Sequence, residues 1–189
     1  MPQARSPLVR PGVSSRVALR NLEVELRELD ARLRPIAERP VDITNPDWLK
    51  KLALNHDPLG EAGIRPQAQA ALRRAIRLYH GSSAEDRQRL RELFQKYRAF
   101  AWAATLPEEP TTEDGFRDHL LQFSLVDQGR DSRDAILSLR HLCAEAKKAG
   151  VDIRPILNEV ADLSSDDDKY GMGSTKKQLI DAAERLDVT

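Results

Sequence analysis

A single cysteine, Cys143, leaves this chain no intramolecular disulfide and no Cys-based zinc site of its own. That usage fits a reducing compartment, and a cytoplasmic location is the expectation. No apolar run approaches the roughly 18 to 20 residues that cross a bilayer. The longest, Ala99 to Leu106, is mostly alanine and contains Thr105, so membrane insertion is not expected. No segment alternates apolar and polar residues as a half-buried strand does. Aromatic residues are scarce at 5%, no His-x-x-x-His pair occurs, and the formal net charge is zero. The usual electrostatic mark of a nucleic-acid-binding domain, a strong basic excess, is therefore missing.

What is present is helical periodicity nearly everywhere. It predicts an all-α fold, a compact bundle of about seven or eight helices with a long N-terminal helix. Residues 1–13, with Arg5, Arg10 and three prolines, read as a flexible basic arm. The arginines and serines of the first 22 residues also have the character of a transit peptide, but without the apolar segment of a secretory signal. Residues 14–189 are expected to form one domain, with a subcluster joint at 107–111 where Pro107 and Pro110 interrupt the helices.

The strongest periodic signal lies in the first helix, predicted to start at Ser14 or Ser15 and to stop at Arg34 before Pro35. Leu19, Leu22, Leu26, Leu29 and Leu33 follow one another at spacings of 3 and 4, a heptad seam that Ile36 continues. Such a seam needs a facing helix, from this chain or from another. A short helix follows from Pro46 with Trp48, Leu49 and Leu52, then one from Pro66 that Gly81 is expected to end in a left-handed conformation. A continuous helix from Ala84 to Ala104 comes next. Its apolar end, Ala99 to Ala104, is predicted to be a central strut enclosed on all sides. Thr111 with Asp114 resembles a capping box for the helix of Phe116, Leu120 and Phe123, and helices over 132–149, 154–163 and 174 onward complete the series.

Chemistry is harder to find. The segment Asp162 to Ile180 joins an acidic run to a glycine turn and a helix start. Against a calcium loop beginning at Asp166, Asp168 and Gly171 match, but Tyr170 and Lys177 occupy positions that need oxygen ligands. Gly171, Gly173, Ser174, Thr175 and Lys176 supply backbone amides, hydroxyls and an ammonium at a helix N-terminus, the alternative of an anion site. Walker spacing is absent, and Asp166 to Asp168 would repel an anion. His119 falls on the Phe116 face as a core histidine, and Cys143 falls on a core face as an inert thiol. No cofactor, metal or catalytic residue is assigned.

Charge is segregated along the chain. Residues 65–98 hold nine Lys or Arg against three acids, and residues 107–170 hold eight against fifteen. Arg73, Arg74, Arg77, Arg87, Arg89, Arg91 and Arg98 could in principle meet phosphates. The neutral total counts against nucleic acid. The expected function is a noncatalytic protein-interaction or adaptor module, self-associating or binding a protein partner through the leucine seam. The alternatives are an enzyme assembled from scattered residues and an anion- or nucleic-acid-binding helical protein.

Overall fold

The structure, a computed structural model, describes residues 11–39, 43–47, 57–126, 132–168, 171 and 173–185. Nine helices and no strand occur among them: α1 (Pro11–Ala37), α2 (Pro58–Ala62), α3 (Arg65–Gly81), α4 (Ala84–Lys96), α5 (Arg98–Ala103), α6 (Glu113–Leu125), α7 (Ser132–Lys148), α8 (Ile153–Leu163) and α9 (Thr175–Arg185). The helix expected around Trp48 and most of the N-terminal arm lie outside the described residues. No helix is long and apolar enough to cross a membrane among those residues.

The count exceeds seven or eight for two physical reasons. Asp57 caps a one-turn helix by accepting the Gly60 amide at 3.1 Å, in the segment between the helices expected from Pro46 and from Pro66. And Tyr97 leaves helical geometry at φ −103°, ψ 61°, splitting the expected 84–104 helix into α4 and α5. The redirected α5 is capped from another helix: the Asp30 carboxylate, 1% exposed, accepts the Phe100 amide at 3.0 Å and Arg34 Nε at 2.6 Å.

Three other boundaries depart from expectation. Pro35 sits inside the last turn of α1, where the loss of one backbone donor is tolerated, and Glu38 N bonds the Arg34 carbonyl at 2.8 Å beyond it. Gly81 is not left-handed; Ser82 ends α3 in extended geometry, and its hydroxyl satisfies the Leu78 carbonyl instead. The α6 cap is Thr112, one residue past the expected Thr111, with Oγ1 accepting the Gly115 amide at 3.0 Å. A β-carbon at Gly115 would stand 2.9 Å from the Glu109 carbonyl, so the turn before α6 accommodates only glycine there without shifting. Gly150 does end α7 as expected: at φ 86° it allows the paired bonds Gly150 N to Lys147 O and Val151 N to Ala146 O.

Packing follows from the apolar faces. The leucine seam of α1 lies against α2, α3 and α5; α6 packs on α3, α4, α7 and α8, and α9 runs along α8. The enclosed strut is α6 and not α5, since every residue from Leu120 to Val126 is buried. Its two buried polar groups are both satisfied, Gln122 by the Ala104 carbonyl at 3.0 Å and Ser124 by Tyr79 at 2.7 Å.

That second contact belongs to the most polar part of the core. Tyr79 donates to the Leu163 carbonyl at 2.8 Å and accepts from Arg91 Nη1 at 2.9 Å, while Ser124 meets Ser164 at 2.8 Å and Ser164 donates to the Val160 carbonyl at 2.7 Å. Leu163 and Val160 carry carbonyls of the last turn of α8, which have no intrahelical donor. Arg91 is 7% exposed and pairs with no carboxylate among the described residues; its Nε and Nη2 donate to Gln88 Oε1 at 3.3 and 2.7 Å, and through Tyr79 it faces the negative end of the α8 dipole. The group is a buried C-cap that ties α3, α4, α6 and α8 together.

Candidate interaction surface

The leucine seam is consumed inside the chain. Leu19, Leu22, Leu26, Leu29 and Leu33 are all buried, and Ile36 is half-buried at the end. A partner therefore does not meet these residues while the bundle is closed.

The anion-site residues gather at the start of α9, with Gly171 and Gly173 both at positive φ. Three of the amides there are already used. Lys176 N bonds the Ser165 carbonyl at 3.1 Å, Lys177 N bonds Ser174 Oγ at 3.1 Å, and Gln178 N bonds the Ser174 carbonyl at 2.9 Å. Ser174 in turn donates to Asp166 Oδ1 at 3.2 Å, so a carboxylate of the chain itself holds the place a phosphate would take. Thr175 is buried and its Oγ1 has no hydrogen-bond partner among the described residues.

The basic residues of α3 and α4 are largely neutralised at home. Arg73 pairs with Glu108, Arg74 with Glu25, Arg89 with Glu85, and Lys96 with Glu23 at 3.8 Å, while Arg87 donates to the Ser82 carbonyl. His80 meets Glu159 at 3.0 Å, and Arg117 Nε meets the same carboxylate at 3.1 Å. Burial alone would push the Glu159 carboxyl up, but the His80 and Arg117 bonds outweigh it and hold the group below its ordinary value. Part of the 65–98 charge thus meets the 107–170 acids, and part meets α1.

His119 is half-buried rather than in the core, and its Nε2 donates to the Glu108 carbonyl at 2.6 Å. Cys143 is partly buried, which pushes its thiol up to about 11 and leaves almost no thiolate at neutral pH. His56 lies outside the described residues. Among those described, no group of three His, Cys, Asp or Glu side chains could hold a metal.

What the structure leaves outward is an edge formed by α1 and α5. Trp102, expected to be enclosed, is 58% exposed, and the Arg98 guanidinium lies 5.0 Å over its ring centre. The physical reason is the bend at Tyr97: it turns Phe100 and Ala101 into the core, so Arg98 and Trp102, at i and i+4, share the outer face. On α1, Arg16, Arg20, Arg27 and Arg34 fall within about 40° of one another at 3.6 residues per turn. All four are exposed. They lie just beyond Glu23 and Asp30, the two α1 acids that hold α4 and α5 through Lys96 and the Phe100 amide. Among the described residues Arg16, Arg20, Arg27 and Arg98 form no ion pair.

Comparison of the chain with protein-family models, with curated proteins and with solved structures finds no match.

Proposed function

We propose that this chain is a noncatalytic protein-interaction module that binds a partner through the α1–α5 edge, with Trp102 as the anchor. The observation that carries this reading is the indole held in solvent beneath a guanidinium that no carboxylate among the described residues neutralises. Tryptophan and arginine dominate the energetics of protein interfaces because each offers a large, stiff contact area with a directional polar edge. Trp102 stands apart from the other described aromatic residues, since Tyr79, Phe94, Tyr97, Phe100, Phe116 and Phe123 are all buried. The one cysteine fits a role in the reducing cytoplasm.

The test is selection of binders from a displayed random-peptide library against the intact chain, followed by titration of the selected peptides on Trp102→Ala. Peptides bound at micromolar Kd by the parent and at least tenfold more weakly by the variant support the proposal. Failure to select any binder, or selection only of peptides that bind both proteins equally, overturns it. Trp102 lies outside the core, so the variant keeps its fold, which circular dichroism verifies.

A further inference from the structure

We infer that the occupant of this edge is an acidic amphipathic helix lying along the arginine row of α1, with an apolar side chain seated on Trp102. The inference rests on the Trp102 reading and adds the chemistry and conformation of the partner.

Charge comes first. Arg16, Arg20, Arg27 and Arg98 are exposed and form no ion pair among the described residues, whereas Arg73, Arg74 and Arg89 each hold a carboxylate. The acids nearest the row are committed elsewhere: Glu23 to Lys96, and Asp30 to Arg34 and the Phe100 amide. The row is thus a line of positive charge that the fold does not answer, and carboxylates complement it.

Spacing selects the conformation. At 1.5 Å per residue, Arg16, Arg20 and Arg27 stand about 6 Å and then about 10.5 Å apart along the axis. A second helix alongside matches this with acids at i, i+4 and i+11, all on one face. An extended strand at about 3.3 Å per residue would need acids at i, i+2 and i+5, and the odd second step turns the last to the opposite face. A continuous phosphate backbone fits less well again. The formal net charge of the chain is zero, so the basic excess that a run of phosphates calls for is missing, while a few discrete carboxylates need only the row itself.

Position of the anchor follows from Asp30. Its carboxylate holds Arg34 and the start of α5 together, so Arg98 and Trp102 stand at the Arg27–Arg34 end of the row. A partner helix therefore presents its apolar residue at one end and its acids along the rest, the arrangement by which flanking charges on paired helices set register.

The experiment uses the intact chain and a displayed helical library whose surface positions are randomised. The expected result is enrichment of Asp and Glu at i, i+4 and i+11 relative to one another. The chosen peptides should bind at least tenfold more weakly to the Arg20→Gln/Arg27→Gln double variant, and more weakly as sodium chloride rises from 0.05 to 0.5 M. Trp102-dependent binders without acid enrichment, or indifferent to the double variant, overturn the acidic-helix inference and leave the interaction reading standing. Absence of any Trp102-dependent binder overturns both. A single-stranded oligothymidine that binds the chain more tightly than every selected peptide, and loses affinity in the double variant, overturns the inference in favour of nucleic acid.

Discussion

Replacing Tyr79 by Phe removes one oxygen and almost no volume, so its cost measures the buried polar cap at the end of α8. That oxygen serves Arg91 Nη1 at 2.9 Å, Ser124 Oγ at 2.7 Å and the Leu163 carbonyl at 2.8 Å. Ser124 can turn fully to Ser164, 2.8 Å away, so its share of the loss is small. The Leu163 carbonyl loses its donor, worth about 1 kcal/mol, and Arg91 loses an acceptor for a charged donor, worth about 1.5 to 3 kcal/mol. The expected destabilisation is about 3 kcal/mol, or roughly 6 to 12 °C in Tm for a chain of this size. Urea unfolding followed by far-UV circular dichroism gives the first number and calorimetry the second. The mechanism has a sharper test in a double-mutant cycle with Arg91→Met, which removes the cation and keeps an apolar stem. Without the guanidinium, whose Nη1 alone loses its acceptor while Nε and Nη2 keep Gln88 Oε1, Tyr79→Phe should cost only about 1 kcal/mol, a coupling of about 2 kcal/mol. A single-variant cost below about 1 kcal/mol, or additivity within about 0.5 kcal/mol, would refute the reasoning.

Asp30→Ala should cost about 2 kcal/mol, because the Phe100 amide and Arg34 both lose their acceptor, whereas Asp30→Asn keeps an oxygen for the amide and should cost about half as much; equal costs in urea unfolding would show that the α5 cap is not the source. Thr175→Val should stabilise by about 1 kcal/mol, since the buried hydroxyl has no partner to lose, and a lowered Tm in calorimetry would contradict this. The Asp118 carboxyl is held above its ordinary value by burial, then by the charges of Asp114 and Glu108. Its raised folded pKa means its stabilising contribution is present below the unfolded pKa and is lost as pH rises through the folded one. Asp118→Asn should therefore raise stability at pH 7, by no more than about 0.5 kcal/mol for so exposed a group, and the gain should vanish near pH 3; a gain in urea unfolding equal at both pH values would rule out this cause.

Sequence pattern reached the backbone better than the surface. The 3-4 spacing from Leu19 to Leu33 is legible because a helix that buries one stripe admits few other arrangements, and all five leucines are core. Trp102 was misplaced for a reason particular to its neighbours. Ala99, Ala101, Ala103 and Ala104 lengthen an apolar run without requiring burial, since alanine is small enough to sit anywhere on a helix. The bend that decides which side faces inward comes from Tyr97 and from Asp30, which is 70 residues away from Phe100 in sequence. The cap on α8 was illegible for the same reason, as Tyr79 and Leu163 are 84 residues apart. Nor does local sequence say which of Thr111 and Thr112 caps α6, where a backbone contact at Gly115 fixes the turn.

Charge counting along the chain points to residues 65–98, yet five of the nine cations there hold a carboxylate while Arg16, Arg20 and Arg27 of α1 hold none among the described residues, and the two facts have one cause. A segment sum averages around the helix. Glu23 and Glu25 make α1 nearly neutral in the count, but each is turned to a neighbouring helix, where it takes Lys96 and Arg74. Those pairings remove cations from the segment that looked basic and remove acids from the helix that looked neutral. Arg16, Arg20 and Arg27 are left on the outer edge as a consequence of how the bundle closes, and a wheel drawn after the core face is known displays them at once. Three acids of α1, Glu23, Glu25 and Asp30, thus do structural work while three arginines beside them form no ion pair among the described residues. An interaction through this edge can therefore vary in strength with ionic conditions without loosening the leucine seam beneath it, because the seam is apolar and screening acts on the exposed charges alone.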